Sequence, residues 1–280
     1  MNPISRPVLR YHGGKFGSHG SMADWIVSHF PPHRIYVEPF GGAASVLMRK
    51  PRSHAEVYND LWDDVVTVFR VLRDPLQAAE LERLLRLTPY ARSEFEAVSQ
   101  DDGDAGPVER ARRIIFRSFA GFASGATNRD YVTGFRSDSH RRGTTPAGDW
   151  CNYPNQIEAF TDRLRGVTVE CSSAADVMIS HDSAETLHYV DPPYVHASRR
   201  GRNNEYAFEL SEQDHRDLAQ TLHGLKGPVI LSGYDCRLYR EIYADWRTES
   251  RACHADSAGK RTEVLWLSPA VRQHNLFAVS

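Results

Sequence analysis

The sequence predicts an α/β protein built on a mostly parallel sheet with helices on both faces. Three features predict it. Short apolar runs rich in β-branched and aromatic residues recur along the chain, helical apolar patterns separate them, and one long central stretch interrupts the alternation.

The elements follow in order. Ile35-Tyr36-Val37 reads as a buried strand that stops in the loop Glu38-Pro39-Phe40-Gly41-Gly42, and Ala43 to Met48 reads as the start of a helix. A second strand, Ala55 to Tyr58, ends at Asn59-Asp60. The helix after it sets Leu61, Val65, Val68, Phe69 and Leu72 on one face. Further strands are expected at Val167 to Glu170, Leu187 to Val190, Val229 to Leu231 and Val264 to Leu267. Ser211, with Asp214 three residues later, has the form of a helix-opening cap, and Leu218, Leu222 and Leu225 continue that helix's apolar stripe.

Residues 75–165 break the pattern and read as an insertion, which leaves 1–74 and 166–280 as one domain. The insertion opens with amphipathic helices (Leu81, Leu84, Leu85; Phe95, Val98) and an acidic turn at Asp101-Asp102-Gly103-Asp104. From Pro107 to Thr145 it carries eight arginines against three acids, with Phe116, Phe119, Phe122, Tyr131 and Phe135 interleaved. Pro154 then opens a helix with Ile157, Phe160 and Leu164 on one face. Such a basic, aromatic run suits phosphates and bases. The more usual meaning of such a run is a solvated surface over a small aromatic core.

Composition narrows the function classes. Lys plus Arg (34) nearly balance Asp plus Glu (36), so net charge alone selects no partner. Cys151, Cys171, Cys236 and Cys253 lack CxxC spacing, which predicts a reducing compartment and neither a zinc ribbon nor a disulfide framework. Thirteen histidines form no HExxH or Cys-His cluster, so no metal is expected. The start lacks the apolar core of a signal peptide and no stretch approaches a membrane span, which predicts a cytoplasmic protein. No obligate protein partner is evident.

Asp191-Pro192-Pro193-Tyr194 is the most informative tetrapeptide. It follows an apolar strand, where α/β sheets present their ligand sites. Its two prolines remove N–H groups and leave carbonyl acceptors. An adenine amino group is a poor nucleophile because its lone pair is delocalised into the ring. Asp191 and the Pro192 carbonyl could accept its two N–H bonds and localise that lone pair, while Tyr194 offers a face for a flipped base. Taken alone, the tetrapeptide fits a proline-rich turn with a packed tyrosine just as well. The small residues Gly41-Gly42-Ala43-Ala44 would let a ligand approach the backbone, or simply make a tight strand-to-helix turn. Asp60, about 20 residues further on, suits ribose hydroxyls, or a helix cap. Neither the glycine loop nor His12-Gly13-Gly14-Lys15 has the order of a P-loop. Arg199, Arg200 and Arg202 form a second basic cluster beside the tetrapeptide.

The order of these motifs resembles that of the Dam-type adenine-specific DNA methyltransferases, over nearly the whole chain except the insertion. Arg10-Tyr11-His12-Gly13-Gly14-Lys15 is similar to the family's amino-terminal motif, and Glu38 to Ser45 to its methionine-binding loop. Asn59-Asp60 matches its ribose-binding acid and Asp191-Pro192-Pro193-Tyr194 its catalytic motif, and the likeness continues through Leu231-Ser232-Gly233-Tyr234 and from Lys260 to Leu267. The resemblance implies a class I, Rossmann-like fold of seven mostly parallel strands with the last antiparallel, and a mainly helical target-recognition domain inserted at about 75–165. It implies S-adenosylmethionine as methyl donor, held by Tyr11, Lys15, Glu38, Phe40, Gly42, Asp60 and Asp191. Asp191, Pro192, Pro193 and Tyr194 would carry catalysis on a flipped adenine of double-stranded DNA. Arg10, Asn128, Arg129, Arg136, Arg141, Arg142, Arg199 and Arg200 are the expected DNA contacts. Ala44 departs from the family's second loop glycine, His12 stands where a small residue is common, and the insertion matches the GATC-reading members poorly. Two other readings stay open: a methyltransferase of the same fold for RNA adenine or another amino group, and a catalytically silent DNA-binding relative.

Overall fold

The computed structural model describes residues 4–11, 14–16, 21–100, 105–121, 134–140, 143–195, 209–255 and 259–271. The strands are β1 (Ile35–Glu38), β2 (Ala55–Asn59), β3 (Val167–Glu170), β4 (Thr186–Val190), β5 (Val229–Gly233), β6 (Arg247–Ala255) and β7 (Gly259–Leu267). The helices begin with α1 (Met22–Val27), α2 (Ser45–Arg49), α3 (Asp63–Arg73), α4 (Pro75–Leu87), α5 (Arg92–Ser99) and α6 (Pro107–Ala120). They continue with α7 (Pro146–Asn152), α8 (Ile157–Leu164), α9 (Ala174–Ser180), α10 (Glu212–Gly224) and α11 (Arg237–Ile242). The chain forms two compact units, one of residues 1–21, 42–49 and 62–165, the other of 22–41, 50–61 and 166–280.

The second unit holds all seven strands in one sheet, in the order β3-β2-β1-β4-β5-β7-β6. β1 to β5 run parallel, and β7 inserts antiparallel between β5 and β6. The sheet is thus mixed, with the last strand in sequence reversed. Strands buried on both faces read as continuous apolar runs, and this is what marked β1, β4 and β5. Val37, Val57, Val190, Leu231 and Trp266 from the sheet pack with Met178 of α9, Leu218 and Leu222 of α10, and Tyr239 of α11. The opening of α10 is a full capping box. Ser211 Oγ accepts from the Asp214 N–H, and the Asp214 carboxylate accepts from the Ser211 N–H at 2.8 Å.

The first unit is helical. Proline at the first turn starts α4, α6 and α7, where its missing N–H costs nothing. Asp74 and Thr145 cap α4 and α7. The amino-terminal segment docks here: the Ser5 N–H donates to Gln156 Oε1 at 2.8 Å and Tyr153 Oη donates to the Val8 carbonyl at 2.7 Å.

Two sequence expectations are corrected, and one strand escapes the sequence reading. Leu61 precedes α3 and is 53% exposed, so it is no part of that helix's buried face. Gly42 and Ala43 form a turn, and α2 starts only at Ser45. β6, at the sheet edge, opens on five consecutive polar residues, Arg247 to Arg251, so no apolar run announces it.

Candidate active site

In the second unit, the order β2-β1-β4-β5 sets four carboxyl ends side by side. Glu38 closes β1, while Asp60, Asp191 and Tyr234 directly follow β2, β4 and β5. Asp60 and Asp191 stand two strand spacings apart, roughly 10 Å.

Asn59, at the end of β2, staples the loop after β1. Its Nδ2 donates to the carbonyls of Pro39 (2.9 Å) and Ser172 (3.0 Å), and its Oδ1 accepts from the Ser172 N–H (2.9 Å). The Asn59 carbonyl accepts from the Gly41 N–H at 2.8 Å. A buried amide satisfied at both ends fixes the segments it joins. Gly41 in turn lies so close to the Tyr58 ring that a Cβ there would stand 2.1 Å from Cε2. Asp60 emerges from this clamp. The N-cap position of α3 is Trp62, two residues on. Phe40 is half-buried against the sheet core.

Glu38 is buried and accepts from Tyr36 Oη at 2.7 Å. Burial, then the Glu38 charge, pushes the Tyr36 phenol well above its ordinary range, so it stays a donor. Burial and then the Asp191 charge raise the Tyr189 phenol likewise, and Glu263 and Glu38 add to the effect. Three carboxylates therefore surround the end of β4. Asp191 is half-buried and Pro192 buried. Tyr194 is 5% exposed. Its phenol donates to Glu263 Oε1 on β7, and its ring meets Tyr234 edge-to-face with centroids 4.6 Å apart. Local sequence reasoning offers Tyr194 as a face for a base and misses its partner Glu263, which lies 69 residues on.

Tyr11, Lys15 and Gly42 belong to the first unit. The Tyr11 ring tilts toward Trp62 at 6.3 Å and lies against Gly42, where a Cβ would approach Tyr11 Cδ1 to 3.0 Å. Gly42 has φ +47°, and Ala44 has φ +52°. The family's glycine at the latter position thus has a conformational reason. Lys15 is buried.

Two expected DNA contacts have structural partners in the first unit. Arg10 pairs with Asp149 at 3.0 Å and covers the Phe119 ring. Arg136 Nη1 donates to the Phe119 carbonyl at 3.2 Å, and its own carbonyl accepts from Tyr90 Oη at 2.8 Å. Asn128, Arg129, Arg141, Arg142, Arg199 and Arg200 lie outside the described residues. Three of the eight arginines that made residues 107–145 basic are paired on α6. Arg110 binds Asp63 and Asp64, Arg112 binds Glu94 and Glu109, and Arg113 binds Glu109. Phe116, Phe119 and Phe135 pack with Tyr90, Trp150 and Tyr153. For Phe116, Phe119 and Phe135 the aromatic-core reading holds. Among the described residues no cluster of three or more His, Cys, Asp or Glu could hold a metal, and no helix is long and apolar enough to cross a membrane.

Residues 11–254 match the family model of the D12 class N6 adenine-specific DNA methyltransferases. The chain is 26% identical over 249 residues to a DNA adenine methylase of Escherichia coli K12, covering 85% of this chain and 84% of that one. It is 25% identical over 247 residues to a DNA adenine methylase of Salmonella typhi, with the same coverage. Its match to a DNA adenine methylase of Vibrio cholerae is 24% over 270 residues, covering 91% and 92% of the two chains.

Proposed function

Because this chain belongs to the D12 class N6 adenine-specific DNA methyltransferase family, we propose that its sheet edge holds S-adenosylmethionine beside an adenine turned out of the DNA duplex. It is a DNA adenine methyltransferase. The finer reading is a class I, Rossmann-like catalytic domain with a target-recognition insertion at about 75–165, acting on particular sites in double-stranded DNA.

The observation that carries it is the pair of acids, Asp60 and Asp191, at the ends of strands that flank β1 and its clamped loop. The residues present fit the cofactor: the Asp60 carboxylate, directly after β2, has the chemistry to accept from two ribose hydroxyls, while Glu38 and Phe40 frame the loop after β1. Tyr11, Lys15 and Gly42 are assigned to the same cofactor on the resemblance of their motifs. When bound, S-adenosylmethionine supplies an electrophilic sulfonium methyl.

The chain's own residues do the rest. Asp191 and the Pro192 carbonyl accept the two N–H bonds of the adenine amino group, which gathers its lone pair on nitrogen and aims it in line at the methyl. Tyr194 stacks on the base and compensates for stacking lost from the duplex. Holding the two reactants aligned supplies most of the acceleration. No strong base is needed before transfer, because the methylated amine is acidic enough to release its proton afterwards. Arg10, Arg136, Arg199 and Arg200 are proposed to contact DNA, as are Asn128, Arg129, Arg141 and Arg142. The test is methyl transfer to duplex DNA by Asp191→Ala. We expect transfer to be abolished with the melting temperature preserved, and near-normal turnover would overturn the mechanism.

A further inference from the structure

The proposed role of Tyr194 raises a physical difficulty that the structure answers. A stacking platform must hold its plane, yet the Asp191-to-Tyr194 segment leaves the sheet and forms no strand of its own. A tyrosine on such a segment would spread over several rotamers, and each would have to be frozen when a base arrives. Here the ring is fixed at its far end. Tyr194 Oη donates to Glu263 Oε1, and Glu263 is only 4% exposed, in the middle of β7, where β5 and β6 pair with it on either side. Tyr234, directly after β5, braces the ring edge-to-face at 4.6 Å. The β5–β7 register opposes Gly233 to Val264, which sets Tyr234 next to Glu263.

We propose that Glu263 is the positioning residue of the base platform: its carboxylate anchors the Tyr194 phenol and so fixes the plane on which the extrahelical adenine stacks. Glu263 touches neither base nor cofactor in this account and acts through Tyr194. A buried carboxylate is costly unless it is hydrogen-bonded. The phenol is one donor that makes this one tolerable, and the carboxylate makes the phenol immobile in return. The inference rests on the reading of Tyr194 as the platform.

The experiment measures turnover on duplex DNA and the fluorescence of 2-aminopurine at the target position, for Glu263→Ala, Glu263→Gln, Tyr194→Phe, Tyr194→Ala and the double variant Glu263→Ala/Tyr194→Phe. Each variant is first shown to melt cooperatively. Glu263→Ala and Tyr194→Phe should each lower kcat about tenfold, the size of one charge-assisted hydrogen bond. Both should change the 2-aminopurine signal, and cofactor affinity should stay within about twofold. The double variant should be no worse than either single one, because both remove the same bond. Glu263→Gln keeps an acceptor oxygen and should recover most of the loss. Multiplying losses in the double variant would overturn the proposal, as would a Glu263→Gln as impaired as Glu263→Ala. Full turnover by Glu263→Ala beside an impaired Tyr194→Ala would overturn this inference alone. Full turnover by Tyr194→Ala would overturn the platform reading together with it.

Discussion

Gly41→Ala tests the link between the packing of the sheet and the cofactor loop. A Cβ at this position would stand 2.1, 2.5 and 2.8 Å from Cε2, Cδ2 and Cζ of Tyr58. Carbon atoms prefer about 3.5 Å or more, so the overlap is roughly 1.4 Å. Neither side yields easily. Tyr58 is 0% exposed, and the Gly41 N–H is tied to the Asn59 carbonyl at 2.8 Å. Overpacking of this kind costs about 2–3 kcal/mol, which in a chain of this size lowers the melting temperature by roughly 4–12 °C. Tyr58 immediately precedes Asn59 and Asp60, so the displacement reaches the proposed ribose acceptor. We therefore expect affinity for S-adenosylmethionine to fall at least about tenfold, equivalent to about 1.4 kcal/mol. The assays are thermal melting and calorimetric titration. Gly224→Ala is the control: at the last residue of α10 a Cβ meets nothing within 4 Å, and the same change should stabilise by about 0.4–1 kcal/mol. A Gly41→Ala variant that melts like Gly224→Ala and binds the cofactor normally would refute the packing argument.

Three further outcomes are expected. Ala44→Gly relieves a residue held at φ +52° and should raise the melting temperature by about 1–4 °C, the strain released exceeding the entropy glycine adds to the unfolded chain; a lower melting temperature would contradict this. Asp60→Ala should weaken S-adenosylmethionine binding about a hundredfold through two lost hydrogen bonds to a charged group. It should leave the melting temperature and cofactor-free DNA binding nearly unchanged, and unaltered cofactor affinity would remove Asp60 from the site. The His188 pKa is lowered by burial, an effect the hydrogen bond to Asp182 only partly offsets. A histidine depressed in the fold stabilises fully above its unfolded pKa of about 6.5, and that stability is lost as pH falls toward the folded value, by up to about 1.4 kcal/mol per pH unit. Chemical unfolding at pH 7.5 and 5.5 should therefore show lower stability in acid, with a smaller drop in His188→Leu; equal drops would assign the effect elsewhere.

The legible parts of this chain are those where a local rule and the tertiary structure agree. β1, β4 and β5 read as apolar runs because a parallel sheet buries both faces, and α10 reads from a cap that needs only Ser211 and Asp214. The places of Asp60 and Asp191 at the carboxyl ends of strands are legible because each directly follows an apolar or β-branched run. Illegible were the features made by distant partners. The arginines of α6 looked free within their own window, yet Arg110 finds Asp63 and Asp64, and Arg112 finds Glu94, all outside it. Asn59 looked like a strand stop, while its clamp depends on Ser172, 113 residues away. Glu263 stands just before the apolar run Val264 to Leu267 and reads like any solvent-facing acid, and the β5–β7 pairing brings it beside Tyr234 and Tyr194. β6 stayed hidden because an edge strand has less to bury.

The most direct test of the account is to incubate the purified protein with unmethylated duplex DNA and labelled S-adenosylmethionine, digest the product, and identify the labelled nucleoside. The account predicts label in N6-methyladenine at a defined set of sites, and none with Asp191→Ala. Label in cytosine, in RNA supplied as competitor, or undiminished in the Asp191→Ala reaction would contradict it.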